Sequence, residues 1–431
     1  MSSMFRSLQF FNYRIWFVGA IVSNIGTWMQ RTAQDWLVYD ILTAQDAAAM
    51  GIVMALQLGP QLLMAPWSGL IADRFDRRKI LMATQLSMAL LGLGLGLMVI
   101  AEVAELWHVY AFALALGIVS SVDAPARQTF VSELVRDDFL PNAVALNSTS
   151  FNLARMVGPA VAGVLTVAVG PGWVFLINAA TFAALIAALL AIRRPELRVL
   201  PRAPKGKGKI REGFRYVRHR PDLVVVMWAI FIIGTFGLNF AIYIAGMART
   251  EFGGHAGDFG LLSSVMAVGS VAGALLSARR ERPRLRYVFG ASALFAVTCT
   301  AAALMPNVWL FGAALVLVGV SSLTIMTSAN AYVQTTTDPV MRGRVMALYM
   351  AIFMGGTPLG APFVGLVSNL FGPRWGLGVA AISGVVAALI GLVWAWRARR
   401  LRFEYDRAAG RRLRIVYLPQ QSGSQSGPLN G

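Results

Sequence analysis

Twelve apolar runs, one after another, restrict this chain more than any other feature. A helix needs roughly 20 apolar residues to cross about 30 Å of hydrocarbon. Runs of that kind occupy residues 13–38, 48–72, 80–100, 106–122, 144–167, 173–192, 223–248, 259–278, 288–304, 309–330, 345–370 and 375–396. Only 13% of the 431 residues are charged and 57% are hydrophobic, against about 25% charged in soluble domains. The expected fold class is an all-α membrane protein with twelve transmembrane helices.

Charge placement sets the orientation. With both termini on the cytoplasmic side, 34 of the 38 Lys and Arg fall in inside segments. Two fall in outside loops, Arg249 and Arg374, and two within spans, Arg31 and Arg155. Net charge is then +21 inside, −4 outside and +1 in the membrane, matching the total of +18. The basicity is therefore positive-inside bias and not a nucleic-acid footprint. Cys299 is the sole cysteine and His108, His219 and His255 are scattered, so neither a disulfide framework nor a metal-ligand spacing is present. No phosphate-binding loop or nucleophile-elbow motif occurs, which points away from an enzyme and away from ATP drive within this chain. The N-terminal apolar run lacks a small-residue cleavage site and reads as a retained helix.

The spans divide into residues 1–192 and 223–396, each with six, joined by a basic cytoplasmic linker at 193–222 that carries eleven Lys and Arg. Within it, 201–209 reads as flexible and 210–220 as a basic helix on the anionic leaflet. The tail, 397–431, reads as basic and then disordered. The halves repeat at an offset near 202. Gly117-Ile118-Val119-Ser120-Ser121 answers Gly319-Val320-Ser321-Ser322, Val144-Ala145-Leu146 answers Met346-Ala347-Leu348, and Gly163 answers Gly365. Such parallel six-helix repeats belong to transporters that work by alternating access.

Between the second and third runs lies Gly69-Leu70-Ile71-Ala72-Asp73-Arg74-Phe75-Asp76-Arg77-Arg78-Lys79. Its cations suit any inside loop, but Gly69 and Asp73 at that spacing resemble the helix 2–3 signature of the major facilitator superfamily. The resemblance covers nearly the whole chain and implies two pseudo-symmetric six-helix bundles. It implies that Gly69, Asp73, Arg74, Arg77 and Arg78 form a conformational gate. Asp73 would latch the start of helix 11 at Gly343-Arg344-Val345, and Arg77 or Arg78 would engage Asp123 at the inner end of the fourth span. A helix N-terminus favours an anion by about 0.3–1 kcal/mol, the scale of a latch that must reopen. The matching loop at 277–286 lacks the aspartate.

Charge inside the membrane marks function by default, because it costs about 2.5–3.5 kcal/mol at the bilayer centre. Asn24, Thr27, Arg31, Gln34 and Asp35, with Gln30 flanking, make a polar stripe on the first span. Asp35 either takes up and releases a proton or ends the helix at the outer headgroup level. Arg155, beside Asn152, has no acid on its own helix and needs a partner elsewhere, water, or an anionic substrate. Gly158-Pro159 after it partly resembles the helix 5 motif of drug antiporters. Thr235, Asn239 and Tyr243, and Ser321, Thr324 and Ser328, are either cavity ridges or small-polar packing faces.

Phe11-Asn12-Tyr13-Arg14, Gly26-Thr27-Trp28-Met29-Gln30, Trp36-Leu37-Val38, Ala124-Pro125-Ala126-Arg127-Gln128 and Asn142-Ala143-Val144-Ala145-Leu146-Asn147-Ser148 resemble the bacterial enterobactin-exporter and macrolide-efflux branch. That resemblance implies proton-coupled export of a siderophore or hydrophobic drug across a bacterial cytoplasmic membrane, with the proton motive force in place of a cofactor. The expected partners are a small-molecule substrate and membrane lipid, no nucleic acid, and the monomer as the working unit. Uptake, lysophospholipid flipping, or a sensor that keeps the fold without transport are the alternatives.

Overall fold

A computed structural model describes residues 3–198, 210–278, 283–397, 401–406 and 412–417. The linker core at 201–209 and the tail at 420–431, read above as flexible and disordered, lie outside the described residues, as does part of the 277–286 loop.

The N-terminal half contains α1 (Phe11–Trp36), α2 (Ala47–Leu63), α3 (Ala65–Arg74), α4 (Arg77–Ile100), α5 (Leu106–Leu134), α6 (Leu140–Val169) and α7 (Pro171–Ala191). After the linker helix α8 (Ile210–Arg218) come α9 (Pro221–Ile232), α10 (Phe240–Gly246), α11 (Ala256–Ala278), α12 (Leu285–Ala303), α13 (Val308–Thr336), α14 (Pro339–Phe371) and α15 (Pro373–Arg397). Among the described residues, ten segments are long and apolar enough to span a membrane. Two more stretches are consistent with the expected twelve. The 26-residue α1 is diluted by its polar stripe, and the apolar α2 breaks at Met64 before α3 carries the span inward. The seventh span is broken too. α9 passes through π-helical Ile233–Gly237 into α10 and then π-helical Met247–Glu251.

Bulky apolar side chains such as Val18, Leu97, Val167, Val297, Leu317 and Ile382 stand exposed along the spans. A soluble monomer would not leave so much apolar surface uncovered; here lipid covers it.

Glycines let the helices approach, and they do so in pairs that obey the repeat. A Cβ on Gly117 of α5 would lie 2.7 Å from the Gln57 carbonyl oxygen of α2; one on Gly319 of α13 would lie 2.2 Å from that of Met266 on α11. Gly163 of α6 meets Ala256 O of α11 at 2.9 Å in the same sense, and Gly365 of α14 meets Ala47 O of α2 at 2.2 Å. Exchanging the halves turns each contact into its mate, so the two bundles are related by a pseudo-twofold axis.

The core reveals the conformation. One apolar cluster runs through both halves and includes Met50, Val53, Ala162, Phe259 and Val364. A second, containing Tyr13, Trp16, Leu81, Phe130 and Leu189, belongs to the N-terminal half alone. Where the first joins the two halves it lies at the outer ends of the spans, and it continues to the inner end of the C-terminal half alone through Val333, Val345 and Val217, while the second lies at the inner end of the N-terminal half. With the termini on the cytoplasmic side, as charge placement leads one to expect, the halves are fused at the outer end and separate at the inner end, an inward-open arrangement.

The basic part of the tail contains two strands. β1 (Leu401–Asp406) and β2 (Arg412–Tyr417) pair antiparallel, with Leu401 opposite Tyr417.

Candidate functional site

The outer seam is where the halves meet. α2 packs on α14 and α6 on α11. Gly51 backs onto Ala361, and Gly260 onto Pro159 and Gly163. Trp36 stacks on Phe259 across the seam at 5.9 Å and 26°. Polar contacts finish the closure. Arg249 Nε donates to Asp40 Oδ1 at 2.5 Å. Tyr39 and Thr250 hydroxyls lie 2.7 Å apart, and Thr250 also donates to Gln45 at 2.8 Å. Asn369 accepts from Ala47 N at 2.8 Å and donates to Asp46 at 2.6 Å. Asp46 in turn caps α2 through Ala48 N and Ala49 N, so the latch is built onto a helix start.

The charged residues lie just beneath this seal. Arg155 precedes Pro159 by four residues and Gly163 by eight, so helical spacing puts all three on the face of α6 that meets α11. Asn152 continues that stripe inward and is exposed. On α1, the Arg31 guanidinium carbon lies 5.3 Å from the Trp28 ring centre, and that of Arg155 lies 5.7 Å from the same centre. Phe151 meets Trp28 edge-on at 5.8 Å. Gly158 allows the approach, since a Cβ there would fall 2.6 Å from Trp28 Cβ. Asp35 is near enough to attract Arg31 electrostatically, yet no ion pair within 4 Å joins them among the described residues. The sequence reading did not single out Trp28; its i−3 spacing to Arg31 was the available signal.

The remaining stripe residues separate. Gln30 is buried and accepts from Asn178 of α7 at 2.5 Å. Gln34 is buried with its Nε2 lacking an acceptor among the described residues. Thr27 bonds back to Ser23 O at 2.8 Å. Asn24 is half-buried, donating to Ser150 and accepting from Arg127, both at 3.4 Å.

In the second half the candidate ridge residues form packing faces in this conformation, the second of the two alternatives. Thr235 bonds to Phe231 O, and its backbone lies against Gly356 and Gly360 of α14. Asn239 is fully buried and donates to Thr235 O at 2.8 Å; Tyr243 is fully buried and donates to Phe236 O at 2.5 Å. Ser321 pairs with Thr298 of α12 at 3.2 Å, and Thr324 and Ser328 are buried. None of these lines an open chamber in this conformation. Spacing by four serves a packing face as well as a pore face, so the sequence pattern could not separate the two.

The helix 2–3 region also departs from expectation. α5 continues through Pro125 to Leu134, so Asp123 is buried inside the helix and does not close it. It accepts from Thr84 at 2.7 Å, Gln85 at 2.8 Å and Arg127 at 3.1 Å, and neither Arg77 nor Arg78 reaches it. Arg77 pairs with Glu133, ten residues nearer the inner end of α5, and Arg78 donates to Leu189 O at 2.7 Å. Gly69 and Gly343 face open space among the described residues, because the inner ends are apart. Arg74 is exposed. Arg344 is held by Glu212 of the linker helix at 2.8 Å. The side chain of Asp73 lies outside the described residues.

Comparison with known proteins gives a consistent result. A family model described as transmembrane secretion effector, one of the major facilitator families, matches residues 2–411. The staphyloferrin A transporter of Staphylococcus aureus is 23% identical over 402 residues, covering 91% of this chain and 98% of that protein. The enterobactin exporter EntS of Citrobacter koseri is 26% identical over 350 residues, covering 78% and 80%. Among solved structures, a bacterial homologue of the human lysosomal transporter Spinster, inward-facing and unoccupied, superposes with a TM-score of 0.72 at 15% identity. That match covers 89% of this chain and 97% of the other. These relatives are transporters and not enzymes.

Proposed function

Because the chain belongs to the transmembrane secretion effector family of the major facilitator superfamily, and is a multi-pass membrane transporter, we propose that it exports a siderophore-type small molecule across a bacterial cytoplasmic membrane by alternating access. The observation that carries this reading is the arrangement of Arg31, Asp35 and Arg155. Arg31 and Arg155 gather about Trp28 with Asp35 one turn on from Arg31, and Arg155 shares the face of α6 that meets α11 across the seam. A charge is retained at such a depth where it meets water, substrate or protons. The relatives named for staphyloferrin A transport and enterobactin export support the substrate class and the outward direction.

The proposed drive is the proton gradient. Moving one charge across 100 mV yields about 2.3 kcal/mol, enough for roughly a fifty-fold concentration ratio. Asp35 is the proposed proton carrier, one turn below the Asp40–Arg249 latch, where its charge bears on both the latch and Arg31.

The test uses purified protein in inside-out proteoliposomes with an imposed pH gradient, acid inside. Export corresponds here to ligand accumulating in the lumen while protons leave. Staphyloferrin A or enterobactin should accumulate and dissipate the gradient, and Asp35→Asn should remove the proton movement. Accumulation that ignores the gradient would overturn proton coupling; no accumulation of either compound would overturn the substrate class.

A further inference from the structure

The polar groups around Trp28 are lopsided. Arg31 Nε and Gln34 Nε2 are both buried and both lack an acceptor among the described residues. They are three residues apart on α1 and therefore neighbours on its surface. Arg155 brings a further guanidinium from α6, with no carboxylate within ion-pair distance among the described residues. Every one of these orphans is a donor. A buried donor left without an acceptor is costly, and a water or a ligand oxygen supplies what is missing. Asp35 offsets part of one positive charge and leaves the cluster net positive.

Two guanidiniums repel one another, and the indole counters this. A cation near a Trp face is favoured by about the energy of a weak hydrogen bond, and here both cations lie within that range of one ring. Their guanidinium carbons are therefore at most about 11 Å apart, the sum of the two distances to the shared ring centre. Guanidinium groups bind carboxylates through two parallel hydrogen bonds, so a pair at this span fits an anion with more than one carboxylate. Arg155 shares its helix face with Pro159 and Gly163, which touch α11, so the pair faces the seam and not the lipid.

We infer that Arg31 and Arg155, held by Trp28, form a subsite for a small polycarboxylate, with Gln34 supplying a further donor. This deepens the transport reading and rests on it for the ligand's route, but binding can be tested without transport. The probe is citrate, compared with its uncharged trimethyl ester, titrated calorimetrically into the full-length protein in nanodiscs. Wild type should bind citrate and not the ester, with affinity falling as salt rises. Arg31→Gln and Arg155→Gln should each weaken citrate about tenfold or more, and Arg155→Lys should recover part of the loss. Elution profile and melting temperature identify any variant that fails to fold; the salt dependence of wild type then serves as the independent measure. No citrate binding by wild type, equal binding of citrate and ester, or folded glutamine variants that bind as wild type would overturn the subsite. Charge-dependent citrate binding without flux of any siderophore would sustain the subsite and sink the transport reading. Siderophore flux with no preference for citrate over the ester would do the reverse.

Discussion

Replacing Asp40 by Asn should tilt this transporter towards its outward-open state by a predictable amount. Asp40 and Arg249 form the ionic contact across the outer seam, with side chains 18% and 34% exposed. Partial exposure discounts such a pair to about 1 kcal/mol, or roughly fivefold in the inward-to-outward ratio. Asn369→Ala removes a hydrogen bond to Asp46 and another from Ala47 N. Both are near solvent and together contribute about another 1 kcal/mol. The two sites touch different helices, so the double variant should approach thirtyfold. Spin labels at Val103→Cys and Leu304→Cys, both exposed in outer loops of opposite halves, would report seam opening by pulsed electron resonance. The native Cys299 is fully buried and should not compete for label. A longer distance should gain weight in Asp40→Asn and dominate more in the double variant. The charge swap Asp40→Arg with Arg249→Asp should restore the wild-type distribution. If single and double variants keep that distribution, the seam is held by packing alone and the latch argument fails.

Three further outcomes follow from the same geometry. Gly365→Val places atoms where the Ala47 carbonyl already sits at 2.2 Å from a bare Cβ; it should prevent outer closure, lengthen the outer label distance and abolish turnover. Asp73→Asn should slow transport several-fold without lowering membrane expression, measured as siderophore flux per assembled protein, and unchanged flux would count against the gate assigned by resemblance. Glu133→Gln should loosen the junction of α4 and α5 by about 1–2 kcal/mol by removing the half-buried partner of Arg77. A melting temperature equal to wild type would show that pair to be idle.

Much of this architecture could be read from residue order, and the reasons are physical. Spans are set by hydrocarbon thickness, so the order of the membrane helices followed from apolar length, while polar ends hid how far α5 and α14 extend beyond the runs 106–122 and 345–370. The repeat was legible because glycine contacts are intolerant of a Cβ. Gly117 with Gly319, and Gly163 with Gly365, were visible as an offset before their equivalent packing was seen. Arg31 and Arg155 stood out because charge within a span is costly.

The partners of charges were harder. Asp123 was placed at the inner end of the fourth span because the apolar run 106–122 stops just before it. Proline removes only the one bond its missing N–H would make to the Ser121 carbonyl, and α5 runs on through it to Leu134, so the acid sits inside α5 while Glu133 takes the arginine. The Thr235, Asn239 and Tyr243 series satisfied a periodicity shared by packing and pore faces. Which one applies depends on how α9 and α10 meet α14, a tertiary fact that spacing does not encode. Arg344 was assigned by resemblance to the helix 2–3 loop, yet in the inward-open state the linker's Glu212 occupies it. A single sequence describes every state at once and does not say which contacts coexist.

Alternating access itself is tested most directly by asking from which side the central chamber is reached. Asn152→Cys places a thiol on the exposed, seam-facing stripe of α6 below the outer closure. With a membrane-impermeant maleimide, it should react in inside-out vesicles and resist reaction in right-side-out vesicles, and adding Gly365→Val should reverse that preference. Reaction from the outer face in the unaltered background, or a sidedness that Gly365→Val leaves unchanged, would contradict two bundles rocking about a shared chamber.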